Sequence, residues 1–203
     1  MRNIKIKIFC NFILSCFFLV IAFFVYDGNI KNCAYMTFLS HAVTGIVFLS
    51  GGLCLAVKKR DIPCFLYLDC AVLMASVVIA CAIFAPDLCF RGVSKLPHIV
   101  SPTATFVHFL LLCDGRRIKR AQVFTAIVFP TAYYIFMVAS AANGAPIYVQ
   151  FDPSAMSASY LTFLGILANI GLTVVGVLLT YINRLLRFAS EKRKAQKEQD
   201  VKV

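Results

Sequence analysis

Charge is scarce in this chain. Only 14% of its 203 residues are Asp, Glu, Lys or Arg, while 61% are hydrophobic and the mean hydropathy is +0.84. A soluble domain could not hide so much apolar surface. The composition therefore excludes one and specifies a single-domain integral membrane protein. Acidic residues are rarest, nine against twenty Lys and Arg, for a net charge of +11. That excess does not imply a nucleic-acid partner, because the basic residues are divided among the two tails and two short loops. They are not clustered with aromatics on one face, and they read as orientation signals and contacts to anionic membrane lipids. No internal repeat is evident. The nine Cys lack metal-ligand spacing, so neither a metal nor another cofactor is expected, and seven of them serve as small hydrophobes in or beside apolar runs. A small-residue cleavage site is also missing after the first apolar stretch, which excludes a signal peptide and leaves a first spanning helix.

What the chain has in excess is long apolar runs. Six occur, over residues 8–26, 34–57, 63–85, 96–113, 121–143 and 158–183, each long enough to cross a hydrocarbon core that needs about 17 to 25 residues. Seventeen of the twenty basic residues fall in the N-terminal tail, the second and fourth connections and the C-terminal tail, leaving only Lys31, Arg91 and Lys95 in the other three. This is the positive-inside pattern. It predicts an all-α, six-span protein of the cell membrane with both termini cytoplasmic, residues 1–187 forming the transmembrane domain and 188–203 a basic tail. The tail from Glu191 to Glu198 is charged and helix-permissive, and is expected to extend the last helix into water.

The two short connections, Lys58 to Ile62 and Asp114 to Arg120, predict that helices two and three, and four and five, are antiparallel neighbours. The longer outer connections, 86–95 and 144–157, are rich in turn formers and offer material for a lid. Cys33 and Cys89 both fall on the outer side, where a disulfide forms only in an oxidising compartment. The first helix, with Phe9, Phe12, Phe17, Phe18, Phe23 and Phe24 spread around it, is expected to face lipid.

Polar side chains inside spanning helices are costly, so each is a candidate site. Thr37, His41 and Thr44 share one face of helix two, and His98, Ser101, Thr105 and His108 one face of helix four. Depth, at about 1.5 Å per residue, lets Thr37, His41, His98, Ser101, Thr162 and the helix-five tyrosines Tyr133 and Tyr134 converge in the outer half as a polar pocket. Asn169 of helix six is a further candidate for its lining. Asp69 and His108 reach a common depth in the inner half, as a packing pair or a proton relay. Asp69 is expected to be paired or protonated. Pro97 and Pro102 bracket His98, and Pro102 frees the carbonyl one turn back for another partner.

The run Ala34-Tyr35-Met36-Thr37-Phe38-Leu39, followed about sixty residues later by His98-Ile99-Val100-Ser101-Pro102, resembles the androgen-induced-gene family of multi-pass membrane hydrolases and bacterial six-span proteins related to them. The bacterial pattern is also similar at Pro130 with Tyr133, and at Tyr148-Val149-Gln150-Phe151-Asp152. The resemblance implies a Thr37 nucleophile, a His98 base and fatty-acid esters of hydroxy fatty acids as substrates. Leu96-Pro97 stand before His98 where the hydrolases carry a second His and an Asn.

The chemistry is reasonable from the residues alone. A threonine hydroxyl attacks once a neutral imidazole takes its proton, and Tyr133, Tyr134, Asn169 or Ser101 could stabilise the oxyanion. At the membrane interface such a site suits a lipid-like ester whose tail stays in the bilayer. The sequence thus reads as a threonine-dependent hydrolase of long-chain lipid esters. Two alternatives remain open: a small-solute-binding subunit or transporter, and a non-catalytic lipid-binding protein of the same fold.

Overall fold

The computed structural model describes residues 2–84, 86–87, 91–148 and 156–200, and within them every regular element is helical. Helix α1 runs over Arg2–Tyr26. After a 3-10 turn at Ile30–Ala34, α2 covers Met36–Leu53 and ends in a π-helical turn at Cys54–Lys58. Helix α3 is Cys64–Phe84. A π-helical turn at Leu96–Val100 leads into α4, Ser101–Leu112. Helix α5 is entered through Arg120–Val123 and a 3-10 stretch at Phe124–Ile127, and is regular over Val128–Ala142. Helix α6 runs unbroken over Ala158–Asp200, carrying the charged tail as a helical extension.

Five of these six helices are long and apolar enough to cross a membrane, and the chain is a polytopic membrane protein. The fourth is shorter, five π-helical and twelve α-helical residues. At about 1.5 Å per residue it covers about 25 Å, less than the roughly 30 Å of a hydrocarbon core.

Helix α3 is the hub, packing against α2, α4, the entry to α5 and α6. Its residues from Cys70 to Ala75 are all buried, together with Tyr67, Leu68 and Val77, and a helix buried all round belongs at the centre. Helices α4 and α5 each pack on α3 and α6 more than on one another, which corrects the expectation that their short connection makes them neighbours. The connection is held by α6 instead. The Asn183 side chain donates to the carbonyl of Phe109 at 2.7 Å and accepts from the Gly115 amide at 2.7 Å. Arg184 donates to the carbonyls of Gly115 and Ile118, and Arg187 to those of Leu111 and Cys113. The donors to Leu111 and Cys113 satisfy carbonyls that the end of α4 leaves without helical partners, and those to Gly115 and Ile118 hold the connection after it.

Helix α1 corrects a second expectation. Phe9, Phe23 and Phe24 are exposed, but Lys7, Asn11, Ser15, Phe18 and Ala22 form a buried stripe at the three- and four-residue spacing of one helix face. That stripe lies on α2, where glycines permit close approach. A Cβ on Gly45 would stand 2.7 Å from Leu19, and one on Gly51 only 2.0 Å from the Tyr67 hydroxyl and 2.9 Å from Asn11 Nδ2. Gly51→Ala is therefore expected to push apart the Asn11–Tyr67 hydrogen bond and cost about 1–3 kcal/mol. Thermal unfolding in detergent should show the loss, while Gly171→Ala, with nothing within 4 Å of its Cβ, leaves the midpoint in place.

Candidate functional site

The buried polar side chains fall into two layers. One lies towards the start of α2 and α4. The other lies towards the basic end of the bundle, where Lys7, Asp61 and Cys113 come together. Between them stand Phe18 and Phe48, both fully buried, with ring centroids 5.5 Å apart. Phe18 is 6.0 Å from the His41 ring on one side, and Phe48 is 4.6 Å from the His108 ring on the other. The two histidines are thus separated by an aromatic partition.

The first layer is built on the opening turns of α2 and α4. His41, fully buried, places Nδ1 2.6 Å from the Thr37 carbonyl, and His98 places Nδ1 2.8 Å from the Ser94 carbonyl. A carbonyl only accepts, so each ring carries its proton on Nδ1 when neutral and presents Nε2 as a lone pair. Among the described residues His41 Nε2 is buried with no hydrogen-bond partner, and Thr44 Oγ1 has only the weak thiol of Cys70 against it. Thr37 is half-buried, one turn above His41, and no hydrogen bond joins it to His98 among the described residues.

The backbone around Thr37 is held from α5 and the loop beyond it. Tyr133 donates its hydroxyl to the Ala34 carbonyl at 2.8 Å, and the Met36 amide donates to the Tyr148 hydroxyl at 3.2 Å. The Tyr35 and Tyr148 rings pack at 5.7 Å. Burial raises the Tyr148 phenol above its ordinary value, so it stays protonated. The related stretch from Val149 to Asp152 lies outside the described residues, as does Cys89.

The other predicted pocket residues have their donors committed. Ser101, fully buried, donates to the Leu96 carbonyl at 2.9 Å. The Ser101 amide also bonds Leu96, so a π turn carries the chain around the prolines. Tyr134 donates to the Leu161 carbonyl at 2.5 Å. Asn169 bonds the Thr131 hydroxyl and the Gly165 carbonyl, between α5 and α6. Thr162 is exposed, with its hydroxyl on the Ala158 carbonyl, and does not join the others.

The second layer departs from expectation. Asp69 and His108 do not pair: Asp69 accepts from the Thr125 hydroxyl at 2.9 Å, and His108 Nε2 meets Asn11 Oδ1 at 2.7 Å. From there Asn11 Nδ2 donates to the Tyr67 hydroxyl at 2.8 Å, Tyr67 donates to Asp61 Oδ1 at 3.0 Å, and Asp61 Oδ2 pairs with Lys7 Nζ at 2.5 Å. Every direction is forced. The carboxylate accepts, so Tyr67 donates to it and takes the Asn11 amide, which turns its oxygen to His108 and requires a proton on Nε2. An amide does not readily hand protons along a chain, so this network locks helices together rather than conducting. The sequence signal was the spacing of Lys7, Asn11 and Ser15, which a reading of Lys7 as an orientation charge passes over.

Among the described residues no group of three His, Cys, Asp or Glu could hold a metal. Compared with known proteins, the chain matches no family model, no curated protein and no solved structure.

Proposed function

We propose that this polytopic membrane protein is a hydrolase of long-chain lipid esters, with Thr37 as nucleophile and His98 as base. The observation that carries the reading is the contact of His98 Nδ1 with the Ser94 carbonyl at 2.8 Å, which places the proton on Nδ1 and leaves the Nε2 lone pair to accept another. It begins its helix as Thr37 begins α2, and apo geometry at such sites is often open. The likeness of the segments around both residues to the androgen-induced-gene hydrolases supports the same assignment.

In this mechanism Thr37 Oγ1 adds to the ester carbonyl as His98 Nε2 takes its proton. The tetrahedral intermediate collapses, its alcohol leaving with that proton, and water then releases the fatty acid from the acyl-threonine by the same base. Tyr133, whose hydroxyl donates to the Ala34 carbonyl three residues before Thr37, holds the backbone that positions the nucleophile. Purified wild-type protein should hydrolyse a long-chain ester and bind an acyl fluorophosphonate probe, and Thr37→Ala should do neither.

The second reading, a binder of a small polar solute, draws on the unpartnered Nε2 of buried His41. Absence of hydrolysis in the wild type together with saturable solute binding that His41→Phe removes would put it ahead.

The proposed site faces outward and both termini face the cytoplasm, following the basic residues. Single cysteines at Lys59, Arg117 and Lys192 should label from the cytoplasmic side, and those at Lys31 and Lys95 from outside. One loop labelled from the wrong side would overturn this orientation.

A further inference from the structure

A cavity of about 860 Å³ opens at the basic end of the bundle, where the connection after α2, the connection after α4 and α6 around Arg187 to Glu191 meet. Six cationic side chains line it, against Asp61, Asp114 and Glu191. The three carboxylates are largely committed. Asp61 pairs with Lys7 at 2.5 Å, while Arg116 holds both oxygens of Asp114, at 2.9 and 3.1 Å, and Glu191 at 2.7 Å. The hydrogen bond from Arg116 holds the Asp114 carboxyl below its ordinary value, which keeps it charged and engaged.

The remaining cations are at most weakly neutralised. Arg117 reaches Asp114 only at 3.8 Å. Lys59 and Arg187 spend their donors on backbone carbonyls, which accept hydrogen bonds but cancel no charge. Arg60 has no acceptor among the described residues. The cavity therefore keeps an excess of positive charge, with the Arg60 guanidinium and the two Nη groups of Arg117 free to form paired hydrogen bonds. Arginine forks match the oxygens of a phosphate, and the volume lies within the range of small-molecule sites. Its wall also includes Ile4, Ile6 and Phe65, and the two isoleucines are exposed on the outside of α1. Apolar surface thus runs from the charged chamber to the lipid-facing side.

We propose that this cavity binds a phosphate monoester or diester, held chiefly by Arg60 and Arg117. The apolar wall accommodates the first carbons of whatever the phosphate is attached to. The proposal does not depend on Thr37 and His98, which lie at the other end of the bundle.

The test uses the full chain in nanodiscs of phosphatidylcholine with and without phosphatidate, and separately with inorganic phosphate in solution. Bound phosphatidate is counted by native mass spectrometry after nanodisc release, and stabilisation is followed by thermal unfolding. Wild type should retain phosphatidate and unfold at higher temperature with it. Arg60→Gln with Arg117→Gln should weaken retention at least tenfold. Lys119→Gln with Arg120→Gln removes equal charge from the same end outside the cavity, and should leave retention unchanged. Stabilisation by phosphatidate alone identifies a lipid headgroup, and stabilisation by inorganic phosphate at equal strength identifies a soluble phosphate. Equal retention in wild type and the cavity variant overturns the site, as does an equal loss in both variants, which would mark diffuse surface charge. Monodisperse elution and unchanged helical circular dichroism of each variant separate lost binding from lost folding.

Discussion

Thr37→Ala and His98→Ala should each lower hydrolysis of a long-chain ester by a factor of about 10² to 10⁴, the usual contribution of a positioned acid–base pair, and the double variant should lose no more than the worse single one. Residues that act as a unit behave this way, because removing either already abolishes the step they share. Thr37→Ser should keep part of the rate, since the hydroxyl survives. The effect of His41→Ala should be smaller. His41 spends Nδ1 on the carbonyl of Thr37 itself, so its removal loosens the first turn of α2 without removing nucleophile or base. A loss in His41→Ala equal to that in His98→Ala would exchange the assignments, making His41 Nε2 the base. Multiplicative losses in the double variant, or hydrolysis unchanged by Thr37→Ala, would sink the pair.

The helices were largely legible because each is an apolar run of spanning length with its punctuation in sequence. The run predicted from residue 121 is Arg120–Ala142, and that from 63 is Cys64–Phe84. The π turn at Leu96–Val100 was legible only as a break, from Pro97 and Pro102. What sequence could not supply was the rotation of each helix about its axis. Asp69, half-buried, turns towards α5 and His108, buried, towards α1, and depth along a helix carries no information about azimuth. The neighbours of α4 were misjudged for a related reason. A short connection limits distance at one end only, and Asn183, Arg184 and Arg187, distant in sequence, decide where that end is held. Of the outer candidates, His41, Ser101 and Tyr133 are buried, whereas Tyr134 and Asn169 are engaged in hydrogen bonds between α5 and α6. Lys7 was hidden by its company, since a lysine in a basic N-terminal tail carries the same signal whether it faces water or a buried carboxylate.

Lys7 is also where the largest stability effect is expected. Its ammonium pairs with Asp61 at 2.5 Å, with side-chain exposures of 10% and 21%, lies 4.8 Å from the centre of the Tyr67 ring and donates to the Leu112 carbonyl. Lys7→Met keeps the apolar stem but leaves Asp61 without its counter-ion and removes a donor from the end of α4. Breaking a buried pair from one side costs about 3–5 kcal/mol, and the lower end of that range applies because Asp61 keeps some contact with water. Asp61→Leu should cost a similar amount, since it strands Lys7 and takes away the acceptor that orients Tyr67, Asn11 and His108. Removing both charges together, as Lys7→Met with Asp61→Leu, should recover much of the loss, because neither unpaired charge remains. What is not recovered measures the polar chain behind Asp61, and should be reproduced by Asn11→Leu alone. Unfolding midpoints in a graded mixture of mild detergent and dodecyl sulfate would give all four values. A neutral Lys7→Met would mean that the pair behaves as a surface contact and that α1 is held by the packing of Ser15 and Phe18 instead. Losses that add in the double variant would show the two residues acting independently.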